Sequence, residues 1–536
     1  MSDYQRLEIE DEDGDKPPAS PRSSNHGGSS HPKSVQRLHF LISIAAGTVM
    51  CLFGYEQGVF GGIIVGQEFS RYFNDPAPSV VGFVTSVYDL GCLGGALAAL
   101  FVGEWLGRKR MLICFTIIMA IGIVMQTVAR SMTLLVWGRI VAGIGNGGNT
   151  ATAPVWHVET STHSAKGKAV VKEMVVNVLG FIIANLITLA VSGIETEAQW
   201  RFPLGIQLLF VAIILGMLPL LPESPRWLLS KNRDSEAKSV LAALSVDDCE
   251  EDFIAIRKSV RVEQATEASW SQLFQGGQAT RRVLLGMLLQ VCQQLTGINV
   301  LCYFLPFVLH KSVGLSELVS RVLATGTALF FMLAAIGSLS FIERFGRRPL
   351  LMYMAAIQSL AFLGVAISTE VGHDLTSGIV ATVCISVYFV AFGFGWIATP
   401  WLYPAEINSL SMRTKGAALA TACDWFFNYL VVQTTPIGIH YLGWGIYLVY
   451  AIFNACFVPV IYYLIVETAG KSLEQIDEWF KSNPGWLVHR AIQSSARDSD
   501  ALQNGDDLHA KEENEGLVKA YKESIELGGL PLEPTK

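Results

Sequence analysis

Long runs of apolar residues alternate with short polar segments along most of the chain. Twelve of these runs reach the roughly 20 residues that a membrane-spanning helix needs. They fall six and six on either side of a polar stretch at about 223–281. This pattern predicts an all-α membrane protein with twelve transmembrane helices in two pseudo-symmetric six-helix halves. The apolar windows lie near residues 40–66, 79–102, 111–129, 133–155, 170–191, 203–221, 283–309, 320–341, 349–367, 376–402, 416–436 and 441–465.

The polar stretch contains two helix-forming pieces, Ser235–Leu244 and Asp252–Gln264, which are too charged to enter lipid. We therefore expect a small helical domain on one membrane face. The predicted divisions are a disordered N-terminal tail at 1–36, an N-terminal half at 37–222, the helical domain at 223–281, a C-terminal half at 282–466 and a largely disordered C-terminal tail at 467–536.

Basic residues are concentrated in the short loops on one face, and the opposite loops hold few of them. By the positive-inside rule, the basic face, the helical domain and both termini are expected to be cytoplasmic in a multi-pass protein, most naturally of the plasma membrane. The first 36 residues lack the apolar core of a cleavable signal peptide, so the first spanning helix is expected to serve as the targeting signal. The basic residues are Arg108, Lys109, Arg110, Lys166, Lys168, Arg344, Arg347, Arg348, Arg413 and Lys415.

Composition excludes several classes of protein. With 51% hydrophobic and only 16% charged residues the chain is not a soluble globule, and its net charge of −7 resides largely in the tails. Nine cysteines without a CxxC pair indicate packing residues rather than disulfides or a zinc site. No GxxxxGK[ST] phosphate loop supports ATP-driven transport. We expect no enzymatic activity, no cofactor, no metal and no nucleic-acid partner.

Two loops in opposite halves carry one pattern of acid, Gly-Arg and a second base: 104–109 (EWLGRK) and 343–348 (ERFGRR). Such a repeat indicates a duplicated bundle. Acids and bases here can clamp neighbouring helix ends by charge-assisted hydrogen bonds, and we expect the clamps only when the cytoplasmic side is shut. The alternative is that the bases are topology signals alone. The predicted cytoplasmic gate network comprises Glu104, Arg108, Glu159, Glu343, Arg347, Glu406 and Arg413.

Further runs follow these loops in a fixed order over roughly residues 40–480. In that order the chain resembles the sugar porter family of the major facilitator superfamily, in the style of its fungal hexose and polyol transporters. The runs are 53–59 (FGYEQGV), 138–139 (GR) with 143–145 (GIG), 200–203 (WRFP), 222–228 (PESPRWL), 293–299 (QQLTGIN), 400–406 (PWLYPAE), 413–416 (RTKG) and 467–472 (ETAGKS).

Three amides, Gln293, Gln294 and Asn299, lie in one apolar span, where unpaired polar groups are costly. Gln294 and Asn299 can face one cavity if the helix is locally irregular, and Tyr303 follows one turn later. Amides and hydroxyls suit a polyhydroxylated ligand, although spacing alone allows helix-to-helix hydrogen bonding instead. The resemblance implies sugar-binding amides at these positions. The predicted substrate set is Gln293, Gln294, Asn299, Tyr303, Trp401, Asp424, Trp425 and Asn177.

The chain departs from the family pattern at three positions. Met174 stands where a sugar-binding glutamine is usual, with Asn177 one turn further on; Phe331 stands where an asparagine is frequent; and Asp424 replaces an asparagine or glutamine. These departures predict a substrate pocket that is more apolar on one wall and carries one additional carboxylate. That combination does not match ordinary glucose recognition.

Glu56 lies in an apolar span, where a carboxylate must find a base or bind a proton. In proton-coupled members of the family an aspartate stands here, and an arginine at the place of Arg139 is its partner. The resemblance therefore implies a proton-coupling pair, the alternative being a static pair in a passive facilitator. Asp89, a second intramembrane acid, is interpreted as a packing or hydrogen-bonding residue.

The resulting hypothesis is a proton-coupled importer of a sugar, polyol or related polyhydroxylated molecule that works as a monomer by alternating access. Its partners are the substrate, protons and the lipid bilayer. Three alternatives stay open: a passive sugar facilitator, a porter of the same fold for a hydroxylated cyclic acid or secondary metabolite, and a sugar sensor that does not transport.

Overall fold

A computed structural model describes residues 33–161, 166–244, 249–265, 277–371, 375–409, 412–471, 473–483 and 485–488. Within these residues the regular structure is helical, without β-strands. The predicted disordered tails lie outside the described residues, except that 33–36 begin the first helix and 467–488 contain a further helix.

Helices of the first half make six crossings, the sixth split into two pieces. They are α1 (Lys33–Val65), α2 (Gln67–Tyr72), α3 (Pro78–Leu106), α4 (Arg108–Thr127), α5 (Met132–Thr160), α6 (Lys166–Ala190), α7 (Ala198–Gly205) and α8 (Gln207–Met217). Three helices follow in the polar stretch: α9 (Pro225–Ser230), α10 (Asp234–Leu244) and α11 (Cys249–Ala265).

Helices of the second half again make six crossings, two of them split. They are α12 (Gln278–Leu295), α13 (Ile298–Lys311), α14 (Glu317–Phe345), α15 (Arg347–Val371), α16 (Leu375–Gly395), α17 (Thr399–Ile407), α18 (Arg413–Leu442) and α19 (Gly445–Leu464). A final helix, α20 (Leu473–Ser482), lies in the predicted C-terminal tail.

Ten of these crossings are long and apolar enough to span a membrane by composition. The other two are α5 and α18, with 29 and 30 residues. They are less apolar because they carry polar side chains that are buried inside the bundle, such as Asn149 in α5 and Asn428 in α18. The predicted twelve-helix fold is confirmed.

Helices α3 and α5 pack backbone to backbone. A Cβ atom on Gly91 would lie 2.4 Å from the carbonyl oxygen of Ile140, and one on Gly143 would lie 2.2 Å from that of Tyr88. Larger side chains at these glycines would therefore push the helices apart. This close approach brings the α5 side chain of Arg139 against α3.

The three helices of the polar stretch share a small apolar core that includes Trp227, Leu241 and Phe253. Helices α10 and α11 coincide with the two predicted helical pieces. They lie at the end of the bundle that carries the Gly-Arg loops, which we call the basic end; the other end is the opposite end.

Helix α20 docks beside the start of α12. Arg282 donates to Asp477 at 2.5 Å, and Arg281 donates to the carbonyl oxygen of Asn483 at 2.6 Å. The guanidinium of Arg281 also lies 5.1 Å from the ring centre of Phe480. The first part of the predicted C-terminal tail thus contains a helix, which lies before most of the residues expected to be disordered.

Candidate functional site

Glu56 of α1 and Arg139 of α5 form an ion pair inside the first half. The Nη1 atom of Arg139 donates to Oε2 of Glu56 at 2.7 Å, and both side chains are fully buried. A charged pair without solvent is stable only when its remaining hydrogen-bonding groups are also satisfied. The surroundings of Arg139 meet most of that requirement.

The guanidinium of Arg139 is held on all sides. Its Nε and Nη2 atoms donate to the carbonyl oxygens of Val84 at 3.3 Å and Thr85 at 2.9 Å, both in α3. Its Cζ atom lies 4.5 Å from the ring centre of Phe60 and 4.4 Å from that of Tyr88. Arg139 therefore connects the Glu56 carboxylate to the backbone and an aromatic ring of α3.

The second oxygen of Glu56, Oε1, is buried and has no hydrogen-bond partner among the described residues. Gln207 at the start of α8 lies beside Glu56 and is fully buried, although its amide atoms also lack a partner within hydrogen-bond distance in the described structure. One carboxylate oxygen is thus fixed by arginine and the other can accept a proton.

A break between α12 and α13 places the amides of the second half. Gly297 adopts a φ of 89°, a left-handed conformation that favours glycine, and a Cβ there would lie 2.9 Å from Tyr450. The carbonyl oxygen of Thr296, left without a helical partner, accepts from Tyr388 at 3.1 Å and Asn454 at 2.9 Å. The helix thus has the local irregularity needed for Gln294 and Asn299 to face one point.

These amides form a continuous hydrogen-bonded chain with α18. Gln294 donates to Asp424 at 2.5 Å, and Asn299 donates both to Gln294 and to Asn428 at 2.9 Å. All four side chains are buried. The chain offers donors and acceptors side by side, as hydroxyl groups require.

The chain extends across the seam, our term for the interface of α1, α3 and α6 with the second half. Asn428 donates to Oδ1 of Asp89 in α3 at 3.3 Å, and the Tyr303 hydroxyl donates to the same oxygen at 3.0 Å. Asp89 is fully buried, and its Oδ2 atom has no partner among the described residues. Sequence reasoning left Asp89 and Asn428 out of the site, because hydropathy gives no sign of contacts between distant helices.

Other predicted substrate residues have separate partners. Gln293 donates to the carbonyl oxygen of Trp396 at 2.8 Å, and Asn177 donates to that of Met50 at 3.3 Å. Trp425 is fully buried and meets Phe53 edge to face across the seam at 5.5 Å, whereas Trp401 is half-buried against the core. The structure therefore connects Gln294, Asn299, Tyr303 and Asp424, and gives the other predicted residues separate contacts.

The two apolar departures from the family pattern lie in the protein interior. Met174 and Phe331 are buried, and the Phe331 ring packs against Phe389 at 5.1 Å and Phe392 at 6.0 Å. Phe389 in turn meets Phe181 of the first half at 6.3 Å. Aromatic rings, rather than amides, line this part of the seam.

At the basic end, two predicted ion pairs form. Arg108 binds Glu159 at 3.1 Å, and Arg347 binds Glu406 at 3.1 Å. Each pair joins helices of one half and does not cross the seam, so the expected dependence on closure of this end does not follow from them. Glu104 is exposed, Arg413 begins α18, and the side chain of Glu343 lies outside the described residues.

Two carboxylates that sequence reasoning missed organise the Gly-Arg loops. Glu223 accepts from the backbone nitrogen atoms of Arg108 and Lys109 at 3.0 Å, at the N-terminus of α4. Glu467 accepts from those of Arg347 and Arg348 at 2.9 and 3.0 Å, at the N-terminus of α15. Both acids lie in the PESPRWL and ETAGKS runs, and each neutralises the positive end of a helix dipole.

Two further hydrogen bonds cross the seam toward the opposite end. There Ser86 donates to Gln433 at 2.9 Å, and Arg321 donates across the seam to the carbonyl oxygen of Thr188 at 2.8 Å. Toward the basic end the same face of α3 becomes half-buried at Leu93 and Leu100.

A family model described as "Sugar (and other) transporter" matches residues 41–480. The chain belongs to this family. The resemblance found in the sequence motifs is therefore confirmed, and the protein is a multi-pass membrane transporter of the major facilitator superfamily.

Two curated family relatives align with most of the chain. The MFS-type transporter oryC of Aspergillus oryzae is 42% identical over 469 residues, which cover 84% of this chain and 87% of the relative. The sugar transporter STL1 of Saccharomyces cerevisiae is 35% identical over 462 residues, covering 82% and 81%. The solved proton:xylose symporter XylE, bound to 6-bromo-6-deoxy-D-glucose, has a TM-score of 0.70 and 22% identity over 83% of this chain and 99% of that chain, which shows the shared fold.

Proposed function

We propose that this transporter is a proton-coupled symporter of a sugar, polyol or related polyhydroxylated molecule and works by alternating access. The observation that carries the proposal is the buried Glu56–Arg139 pair, in which one carboxylate oxygen is bound by arginine and the other has no partner among the described residues. A titratable group at such a place can load and release a proton as solvent access changes. The names of the sugar transporter and proton:xylose symporter relatives support the same class of function.

Protonation of Glu56 removes the negative charge that Arg139 faces. Arg139 then keeps its bonds to the carbonyl oxygens of Val84 and Thr85 but loses its ionic partner, so the position of α3 relative to α1 depends on the proton. Because α3 also carries Asp89, this change reaches the seam and the amides beyond it. The coupling route thus runs from Glu56 through α3 to the second half.

Substrate is proposed to bind at the amide chain of Gln294, Asn299 and Asn428, with Asp424 as a hydroxyl acceptor. The buried ring of Trp425 supplies an apolar surface for the C–H face of a sugar or polyol. A porter of a less polar, non-sugar compound is the second candidate, and the Met174 and Phe331 wall favours it.

The cellular arrangement is proposed from the loop charges. The basic end, the helices within 223–281 and both termini face the cytoplasm, at the plasma membrane. The halves at 37–222 and 282–466 rock against each other along the seam in a functional monomer.

The test uses the full chain in sealed vesicles with an imposed pH gradient and labelled hexoses, pentoses, polyols and cyclic acids. We expect at least one sugar or polyol to accumulate above its external concentration, and accumulation to collapse when a protonophore dissipates the gradient. Equilibration without accumulation would contradict proton coupling. Uptake restricted to non-carbohydrates would contradict the substrate class and favour the second candidate.

A further inference from the structure

Asp89 is the first-half residue that reaches into the second-half amide chain. Its Oδ1 atom accepts from the Tyr303 hydroxyl at 3.0 Å and from Asn428 at 3.3 Å, and Asn428 also accepts from Asn299 at 2.9 Å. One amide therefore links Asp89 directly to a predicted substrate residue. Asp89 is bonded directly to the amide chain, whereas Gln293 and Asn177 donate to backbone carbonyl groups and Trp401 packs against the core.

Asp89 also holds polar groups that a polyhydroxylated substrate would need. The Tyr303 hydroxyl and the Asn428 amide nitrogen are donors, and both are directed at the carboxylate oxygen. A hydroxyl group both accepts and donates, so it can take the place of Oδ1 on these donors and itself donate to the carboxylate. The second oxygen, Oδ2, is buried without a partner among the described residues and can accept such a bond.

The position of Asp89 along α3 suits this exchange. One turn toward the opposite end, Ser86 closes the seam on Gln433, while one turn toward the basic end Leu93 is half-buried. Asp89 thus lies between the cross-seam bond of Ser86 and the basic end. A substrate that enters from the basic end meets Asp89 and the amide chain together.

We propose that Asp89 is a substrate-binding, specificity-determining residue that exchanges its bonds with Tyr303 and Asn428 for a bond to a substrate hydroxyl. The inference rests on the proposed polyhydroxylated substrate. It adds that the substrate bridges the two halves, with one hydroxyl on Asp89 of α3 and others on Asn299 and Gln294. Binding then stabilises the closed seam directly.

The competing explanation is that Asp89 only links the two halves. Substrate analogues that lack a single hydroxyl group distinguish this structural role from substrate binding. Competition is measured in vesicles with D-glucose, D-sorbitol and myo-inositol and with the monodeoxy analogues of each, for wild type and for Asp89→Ala. If Asp89 binds a hydroxyl, one analogue binds wild type about tenfold more weakly than its parent, and this penalty shrinks in Asp89→Ala while the penalties of the other analogues stay the same. A purely structural role predicts that Asp89→Ala weakens the binding of every compound by the same factor.

Ser86→Ala is the matched control, because it removes a cross-seam hydrogen bond one turn away and outside the amide chain. We expect Ser86→Ala to leave the ratio of each analogue to its parent unchanged. If Asp89→Ala does not fold, Asp89→Leu replaces it, because leucine fills a similar volume without any hydrogen-bonding group, so the penalty of the same single analogue should shrink. Equal ratios for wild type and the folded Asp89 variant would overturn the inference alone, whereas no binding of any parent compound to wild type would overturn the proposed function.

Discussion

Arg139 reaches Glu56 at 2.7 Å and at the same time binds two backbone carbonyl groups of α3, so one guanidinium fixes three helices of the first half. Its aromatic neighbours exclude water from the pair. The strength of this connection between the helices depends on the charge of the Glu56 carboxyl group.

Removing one member of the Glu56–Arg139 pair should lower stability more than removing both. Arg139→Met leaves the Glu56 carboxylate buried and uncompensated, which we expect to lower the free energy of unfolding by about 3–5 kcal/mol. The double variant Glu56→Gln with Arg139→Met should recover part of that loss. Thermal melting of the purified protein in detergent measures both, and equal melting temperatures for the single and double variants would contradict the ion pair.

The amide chain should be sensitive at Gln294 and Asn299. Substitution of either by alanine leaves substrate hydroxyls and neighbouring polar groups unpaired, at a cost of about 1–3 kcal/mol in binding per lost partner. Gln290→Ala is the control, since Gln290 lies one turn earlier on α12 and donates to the carbonyl oxygen of Pro400 instead. Dissociation constants that change equally in all three folded variants would remove Gln294 and Asn299 from the site.

The Gly-Arg loops should tolerate no side chain at their glycines. Gly107 and Gly346 both have a φ of 83°, and a Cβ on either would lie 2.6 Å from the carboxylate of Glu223 or Glu467. Alanine at either position should destabilise the protein by about 1–3 kcal/mol through backbone strain. Gly94→Ala is the control, because a Cβ there meets open space. A melting temperature for Gly107→Ala no lower than that of Gly94→Ala would be the contrary result.

Docking of α20 should depend on Asp477. Burial alone raises the pKa of Asp477, but hydrogen bonds from Lys481 and Arg282 outweigh it and hold the pKa below the ordinary aspartate value. The docking contribution is therefore present above the ordinary value and is lost as pH falls through the lowered pKa. At neutral pH, Asp477→Asn should speed hydrogen exchange in residues 473–482, whereas Glu478→Gln, on the exposed side, should not. Unchanged protection in Asp477→Asn would mean that the Asp477 carboxylate does not hold α20, and that its backbone hydrogen bonds and aromatic contacts suffice.

The sequence predicts most of the fold because twelve apolar windows and two matching loops are local patterns. The irregular places were harder to predict. Gly297 breaks the seventh crossing because Tyr388 and Asn454 satisfy the Thr296 carbonyl group, and both lie far along the chain. Likewise α20 is too polar to attract notice until its contacts with Arg281 and Arg282 are known.

The candidate site, like the fold, is predicted only in part by the sequence. Glu56 and Arg139 are 83 positions apart in the chain, and the family resemblance, not spacing, identified them as partners. Asp89 and Asn428 are 339 positions apart, and no motif joins them. A buried carboxylate signals only that it needs partners; the packing of α3 against α18 determines which partners these are.

Glu56→Gln tests the central claim most directly, since glutamine retains the shape and hydrogen bonding of the side chain but cannot titrate. The measurement is accumulation of a transported sugar or polyol in vesicles under an imposed pH gradient, with counterflow exchange of the same compound measured in parallel. We predict that Glu56→Gln abolishes accumulation while exchange persists and loses its dependence on pH between acidic and neutral medium. Full gradient-driven accumulation by Glu56→Gln would contradict proton coupling through the Glu56–Arg139 pair.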